Sequence, residues 1–155
     1  MKTIVSSIFA VAFSGCVAEP PDKSLQEQDI REATFRYQFN HSHDGKGAKY
    51  YCLSVEVADK FVDLDDTLVS RFGRNTPPVR KISDCETRAD GVFDRATGER
   101  GVIFMTRAIK WMSHTEVELQ GGYYEGPTSS SVNSYRLLKR DGKWAVSKDT
   151  LHGIS

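Results

Sequence analysis

The chain has 155 residues, 39% of them hydrophobic and 27% charged, and its 21 basic side chains balance 21 acidic ones. This length suits one domain with a sizeable core. The even charge offers no basic excess to neutralise nucleic-acid phosphates, so no nucleic acid is expected as a partner. The sequence contains no cofactor motif, and no cofactor is expected.

The N-terminus has the pattern of a signal peptide. Lys2 precedes a mostly apolar run of eleven residues at positions 3–13, and small residues follow it. A membrane-spanning helix needs about 20 apolar residues, so this run is too short to serve as a stable transmembrane anchor. The alternative is a buried N-terminal helix or strand.

The end of this run resembles the lipobox of bacterial lipoproteins. Residues 13–16 are Phe-Ser-Gly-Cys, with Phe13 where the lipobox usually has leucine. The resemblance implies a signal peptide at residues 1–15, lipidation of Cys16 with three acyl chains, and a lipidated tether at residues 16–23. The alternative is ordinary cleavage after Ala18, which would leave a secreted or periplasmic protein.

Lipidation would hold the domain close to a membrane. A single acyl chain binds a bilayer only marginally, whereas two or more anchor a protein stably. Val17 after the cysteine resembles the sorting pattern of outer-membrane lipoproteins, which implies a domain that faces the periplasm. Residues 17–23 span at most about 25 Å when fully extended.

The mature sequence is predicted to begin with a helix over residues 24–40. Ser24 and Glu27 have the spacing of a capping box, and apolar residues follow at helical intervals. A strand is predicted at residues 49–57, where apolar side chains alternate along the chain.

A second helix is predicted at residues 64–72, with Asp63 as its N-cap and a strand at residues 79–85 after it. Together with Asp63, the carboxylates of Asp65 and Asp66 suggest a calcium-binding site. The glycine and the distal glutamate of a calcium loop are missing, so these carboxylates are interpreted as helix-capping groups.

The last third of the chain is predicted to form a meander of strands. They lie at residues 92–93, 101–111, 116–126, 131–140 and 143–149. Asp141 and Gly142 are a strong hairpin signal, because both central residues of such a turn adopt positive φ. Gly121 and Gly122 predict a bulge or a sharp bend in a curved sheet.

Cys52 and Cys85 remain after Cys16 is lipidated or removed. An exported pair in an oxidising compartment predicts a disulfide. Closing a loop of this length would contribute about 3 to 4 kcal/mol in the chain-entropy model. A catalytic thiol would need a reduced thiolate beside a base, and no local signature supports one.

The predicted fold class is α+β, with N-terminal helices packed on a curved antiparallel sheet in a single domain at residues 24–155. This order resembles the cystatin-like and nuclear-transport-factor-two-like cone folds. Residues 121–155 also resemble the C-terminal meander of small exported bacterial proteins without an assigned function. These resemblances imply a fold and not a chemistry, because such folds host isomerases, dehydratases, binding modules and inhibitors alike.

His41 and His43, with Asp44 beside them, are the candidate metal ligands. Zinc and copper take imidazole readily. A structural site would need a further ligand such as His114 or His152, and nothing in the sequence brings these together. The alternative is a solvated loop after a helix, where histidines suit the negative end of the helix dipole.

Resemblance to ketosteroid isomerase-like enzymes would imply a carboxylate and a hydrogen-bond donor in an apolar cavity. The residue types that could supply them are Tyr37, Tyr51, Tyr123, Tyr124 and Glu125. The alternative is that these aromatic side chains fill the core. The polar segment at residues 126–131 is a second candidate, either for recognition or as a simple connection.

The sequence therefore predicts a membrane-anchored envelope lipoprotein that acts as a non-enzymatic binding or accessory module, with an envelope protein or component as partner. The alternative is a cone-fold enzyme, or a binder of a small apolar ligand in the sheet concavity. An enzyme of that kind would contain a closed apolar pocket with a carboxylate of raised pKa.

Overall fold

The computed structural model of the protein describes residues 22–42 and 47–155, so the predicted signal peptide and Cys16 lie outside the described residues. The helices are α1 (Lys23–His41) and α2 (Asp66–Ser70), and a 3-10 turn covers Ile82–Asp84. Neither helix in the described ranges is both long and apolar enough to span a bilayer. The strands are β1 (Tyr50–Val57), β2 (Lys60–Val62), β3 (Val79–Lys81), β4 (Cys85–Arg88), β5 (Gly91–Asp94), β6 (Arg100–Ser113), β7 (Glu116–Gly126), β8 (Ser129–Arg140) and β9 (Lys143–Ile154).

Helix α1 begins one residue earlier than predicted. The Asp22 carboxylate accepts a hydrogen bond from the Ser24 backbone N–H at 2.9 Å, so Asp22 is the N-cap. The predicted capping box is therefore wrong, because Ser24 already lies inside the helix. The buried residues of α1 form one face, which packs on the sheet: Ile30, Thr34, Phe35 and Gln38.

Helix α2 is shorter than predicted, and its N-cap is Asp65 and not Asp63. The Asp65 carboxylate accepts from the Thr67 N–H at 2.8 Å, as expected of an N-cap. Asp63 accepts instead from the Ser83 N–H at 2.9 Å. The capping interpretation therefore holds for Asp65, while Asp63 fixes the turn that leads to Cys85.

The strands form one nine-stranded mixed sheet with the central order β2-β1-β6-β7-β8-β9, to which β3, β4 and β5 are added at the side. Strands β6 to β9 form the predicted antiparallel meander. Strand β1 runs parallel to β3 and β6. The long crossover through α2 and β3–β5 permits this pairing, so the sheet is not wholly antiparallel. The prediction of a single α+β domain is confirmed.

The two faces of the sheet carry different cores. Helices α1 and α2 cover one face, where Phe35, Leu53 and Leu68 belong to a buried aromatic and aliphatic cluster. On the other face Cys52 and Cys85 form the predicted disulfide, with a Cα–Cα distance of 6.4 Å. Val92 and Ile103 pack around this bridge in a separate buried cluster.

Gly121 and Gly122 pair in regular register with β8, so they do not form a bulge. The register shift lies on the neighbouring strand β6, between Thr106 and Ile109. A Cβ at Gly121 would lie 2.5 Å from the Met105 carbonyl oxygen. The two glycines therefore let the backbones of adjacent strands and the side chains of α1 approach closely, as expected in a tightly curved sheet.

Candidate functional site

A pocket of about 470 Å³ opens where the C-terminal end of α1 meets strands β7, β8 and β9. We call it the helix-end pocket. It combines hydroxyl, amide and carboxylate groups with aromatic and aliphatic side chains, as binding sites for small molecules commonly do. Its lining residues are Tyr37, His41, Ser42, Tyr123, Ser131, Asn133, Asp149, Leu151 and Ile154.

The β8–β9 hairpin positions the polar groups of this pocket. Asn133 pairs with Leu151, and Tyr135 pairs with Asp149, which places these four side chains on one face of the sheet. The Asn133 side-chain amide donates to Asp149 Oδ1 at 2.7 Å. Asp149 itself is exposed, so its carboxylate is accessible in the pocket.

Helix α1 supplies an aromatic wall. The rings of Tyr37 and His41 are stacked, with centroids 4.0 Å apart, and His41 Nδ1 lies 2.9 Å from the Tyr37 carbonyl oxygen. Burial raises the pKa of Tyr37, and the negative charge of the nearby Asp149 carboxylate raises it further. Tyr37 therefore stays protonated beside Asp149.

Next to the pocket, Tyr135 is fully buried and lies edge-on to Tyr37, with ring centroids 5.9 Å apart. Gln38 Nε2 lies 3.4 Å from the Tyr135 hydroxyl and donates to the Met105 carbonyl at 3.1 Å. Burial raises the pKa of Tyr135 to about 12. The phenol therefore stays neutral and fixes the position of α1 on the sheet.

The raised pKa of Tyr135 predicts a loss of stability in alkali. The unfolded chain ionises this tyrosine near pH 10, whereas the folded domain retains its proton up to about pH 12. The stabilisation is complete below pH 10 and is lost as the pH rises toward 12, by about 2 to 3 kcal/mol. Urea unfolding at pH 9 and pH 11.5 measures it, and the Tyr135→Phe variant should show a smaller fall. An equal fall in both proteins would contradict this assignment.

Asn133 is buried at the edge of the pocket and is 8% exposed. Among the described residues its side-chain oxygen Oδ1 has no hydrogen-bond partner, and the same is true of Gln38 Oε1 and of the indole nitrogens of Trp111 and Trp144. A buried acceptor without a partner costs about 1 to 3 kcal/mol. The amide nitrogen of Asn133 is used, because it donates to the Asp149 carboxylate.

The structure brings together two of the five residues that were considered for a cone-fold site. Tyr37 and Tyr123 both line the helix-end pocket. Tyr51 belongs to the core beneath the helices, and Tyr124 packs against the disulfide cluster on the other face. Glu125 accepts from the Ser129 hydroxyl at the β7–β8 turn. The five residues therefore do not converge in one place.

The polar segment at residues 126–131 is not an extended recognition loop. Gly126 ends β7 and Ser129 begins β8, so only a tight turn separates the strands. Ser130 pairs through its backbone with Ser155. Ser131 is 5% exposed and reaches the helix-end pocket from within β8.

The candidate metal ligands are only partly described. His41 stacks on Tyr37, while His43 and Asp44 lie outside the described residues. His114 lies in the β6–β7 turn at the opposite end of the sheet, and His152 contacts the Ser134 hydroxyl at 2.7 Å. Within residues 22–42 and 47–155, no group of three His, Cys, Asp or Glu side chains could hold a metal ion.

A second concavity of about 480 Å³ lies beside the disulfide and includes Phe61 and Val62. Its charged groups already have partners within the domain. Ser83 donates to both oxygens of Asp63, at 2.9 and 2.7 Å, and Glu86 forms ion pairs with arginines. In the helix-end pocket, by contrast, Asn133 donates to one oxygen of the exposed Asp149 carboxylate, Oδ1.

The most buried carboxylate among the described residues, Asp94, is structural. Burial alone raises its pKa, but hydrogen bonds from Thr97 and Arg80 outweigh burial and hold the pKa below its usual range. Asp94 Oδ2 accepts from both the N–H and the hydroxyl of Thr97 at 2.9 Å. It therefore stays ionised and closes the β5–β6 turn, unlike a catalytic acid.

Comparison with known proteins assigns no family. No protein-family model matches the sequence, and no curated protein matches it significantly. One solved structure shows a distant likeness, an NTF-2-like protein of unknown function from Shewanella oneidensis MR-1. The alignment covers 82% of this chain and 91% of that one, at 16% identity and a TM-score of 0.30. A likeness at this TM-score assigns neither a site nor an activity to the chain.

Proposed function

We propose that the protein is an envelope lipoprotein, anchored through Cys16, whose domain is a non-enzymatic binding module with the helix-end pocket as its recognition site. One observation carries the proposal. The space between α1 and the sheet is filled by the protein's own side chains, whereas the pocket at its end is open and lined by both polar and apolar groups. This arrangement suits recognition at the surface better than chemistry in a closed cavity.

The filled interior disfavours the alternative of a cone-fold enzyme or a binder of an apolar ligand. Phe39 lies within 5.7 Å of Phe72 and within 5.1 Å of Phe104, measured between ring centroids. Phe35 packs edge-on against Phe72 at 6.3 Å. These aromatic side chains occupy the place where such a fold would hold an apolar substrate.

Export and anchoring are supported by the N-terminal sequence together with the disulfide. The apolar run at residues 3–13 ends in the lipobox-like sequence before Cys16. The bridge between Cys52 and Cys85 is of a kind that persists in oxidising compartments outside the cytosol. A lipid-anchored domain of the envelope has both features.

The pocket lies at the far end of α1 from the proposed anchor. The helix has 19 residues and starts at Lys23, the last residue of the predicted tether. At about 1.5 Å per residue, it separates the tether from the pocket by about 28 Å. Anchoring at Cys16 would therefore leave the helix-end pocket accessible to soluble or wall-bound components of the envelope.

Native mass spectrometry of protein extracted from its own envelope tests the binding role. Leu151 is 55% exposed at the pocket rim, and Leu151→Arg should block the opening. Thr150→Arg is the matched control, because Thr150 is next to Leu151 in the chain and its side chain points to the other face of β9. The wild type and Thr150→Arg should retain a non-covalently bound species that Leu151→Arg lacks. The binding role would be contradicted if the wild type lacks this bound species, or if all three proteins retain it equally.

A further inference from the structure

Among its described lining residues, the helix-end pocket has a carboxylate without a basic partner. Asp149 is the one carboxylate among the described residues that line the pocket, and no Lys or Arg is among them. Asp149 also forms no ion pair with any described residue, whereas Asp29, Glu56 and Asp94 each pair with an arginine. A ligand that carries a positive charge would supply the missing partner.

The carboxylate is held in place and retains capacity to accept hydrogen bonds. Asn133 donates to Oδ1 at 2.7 Å. An ionised carboxylate has about four lone-pair positions, so this donor does not saturate it. Ser42 and Ser131 line the same pocket. Carboxylate and hydroxyl oxygens are acceptors, and an ammonium group donates up to three hydrogen bonds.

The remainder of the lining suits the carbon chain that carries such a group. The stacked rings of Tyr37 and His41, with Tyr123, present aromatic surface in the pocket. Aromatic faces attract cations. Leu151 and Ile154 add aliphatic surface that is 55% and 72% exposed. An apolar chain on the ligand would cover this surface.

We propose that the helix-end pocket binds a primary ammonium group borne on a short apolar chain, with Asp149 as its counter-ion. This inference rests on the proposed binding role of the pocket. Asn133 positions the carboxylate. The ligand class follows from the charge, the acceptors and the apolar surface of the pocket.

Titration of the mature protein with n-butylammonium and, separately, with butyrate tests this inference by calorimetry or NMR. We expect saturable binding of n-butylammonium and none of butyrate. Asp149→Asn should weaken the binding by at least about tenfold. Asp141→Asn is the matched control, because it removes the same charge from the turn of the same hairpin, where Asn tolerates the positive φ of 50°. Its affinity should equal that of the wild type.

Equal binding of n-butylammonium and butyrate, or an unchanged affinity in Asp149→Asn, would overturn the ammonium assignment. Native mass spectrometry separates this failure from failure of the binding role. If n-butylammonium does not bind but Leu151→Arg still loses a native species, the pocket is a binding site for another chemistry. If neither ligand nor native species is found, the proposed function itself fails.

Discussion

Alanine in place of Gly122 will prevent the meander from closing. A Cβ at this position would overlap the Ser131 carbonyl oxygen and lie 2.9 Å from its carbonyl carbon. These are backbone atoms of a paired strand, so no side-chain rotation relieves the overlap. We expect a loss of at least about 3 kcal/mol in the free energy of unfolding, or failure to fold, measured by urea denaturation.

Gly153→Ala is the control for that substitution. It changes the same residue type in strand β9, which pairs with the other side of β8 and where an added Cβ has no heavy atom within 4 Å. We expect its stability to remain within about 0.5 kcal/mol of the wild type. A Gly122→Ala protein as stable as Gly153→Ala would show that β7 and β8 do not approach as closely as described.

The second large effect is expected on removal of the disulfide. Cys52 and Cys85 are 33 residues apart in sequence and almost fully buried. The bridge joins β1 to β4, which has no direct pairing with β1 in the sheet. A double Cys52→Ala and Cys85→Ala variant should lose about 3 to 4 kcal/mol of unfolding free energy.

Amide hydrogen exchange shows which part of the sheet loses stability when the disulfide is removed. Without the bridge, the β4–β5 hairpin is held mainly through the short β5–β6 pairing, so its amides should exchange faster than those of β7 and β8. Wild-type protein under reducing conditions should reproduce the variant. A loss below about 1 kcal/mol, or uniform exchange across the sheet, would show that the bridge does not restrain the hairpin.

The sequence predicted most of the elements because their signals are local. The Asp141-Gly142 turn has the positive φ values that the hairpin signal requires, at 50° and 76°. The two cysteines were paired by elimination, which needs no geometry. The parallel pairing of β1 with β6 was missed, because it depends on a crossover that brings distant segments together and leaves no periodic pattern in either strand.

Asp149 was missed as a site residue because the register of the β8–β9 hairpin changes along its length. If the pairing next to the Asp141-Gly142 turn continued unchanged, Tyr135 would pair with Lys148. A bulge at Ser147, whose hydroxyl donates to the Arg136 carbonyl at 3.0 Å, shifts the register and places Asp149 opposite Tyr135. Because side chains alternate between faces, this one-residue shift alone brings the carboxylate to the helix side.

The helix-capping errors have a similar origin. Asp22, Ser24, Asp63 and Asp65 are all suitable N-cap residues, and spacing alone does not choose between neighbours of the same type. The choice depends on the partners that the fold brings near. Ser83 lies 20 residues beyond Asp63 and engages its carboxylate, which leaves Asp65 to cap α2.

The intact mass of the protein purified from its native envelope, before and after reduction, tests the proposal of an anchored module most directly. We predict a chain that begins at Cys16, is heavier by a diacylglyceryl group and a fatty acyl group, and gains two protons on reduction. An unmodified chain that begins at Glu19 would contradict the anchor and make the domain a freely diffusing exported protein.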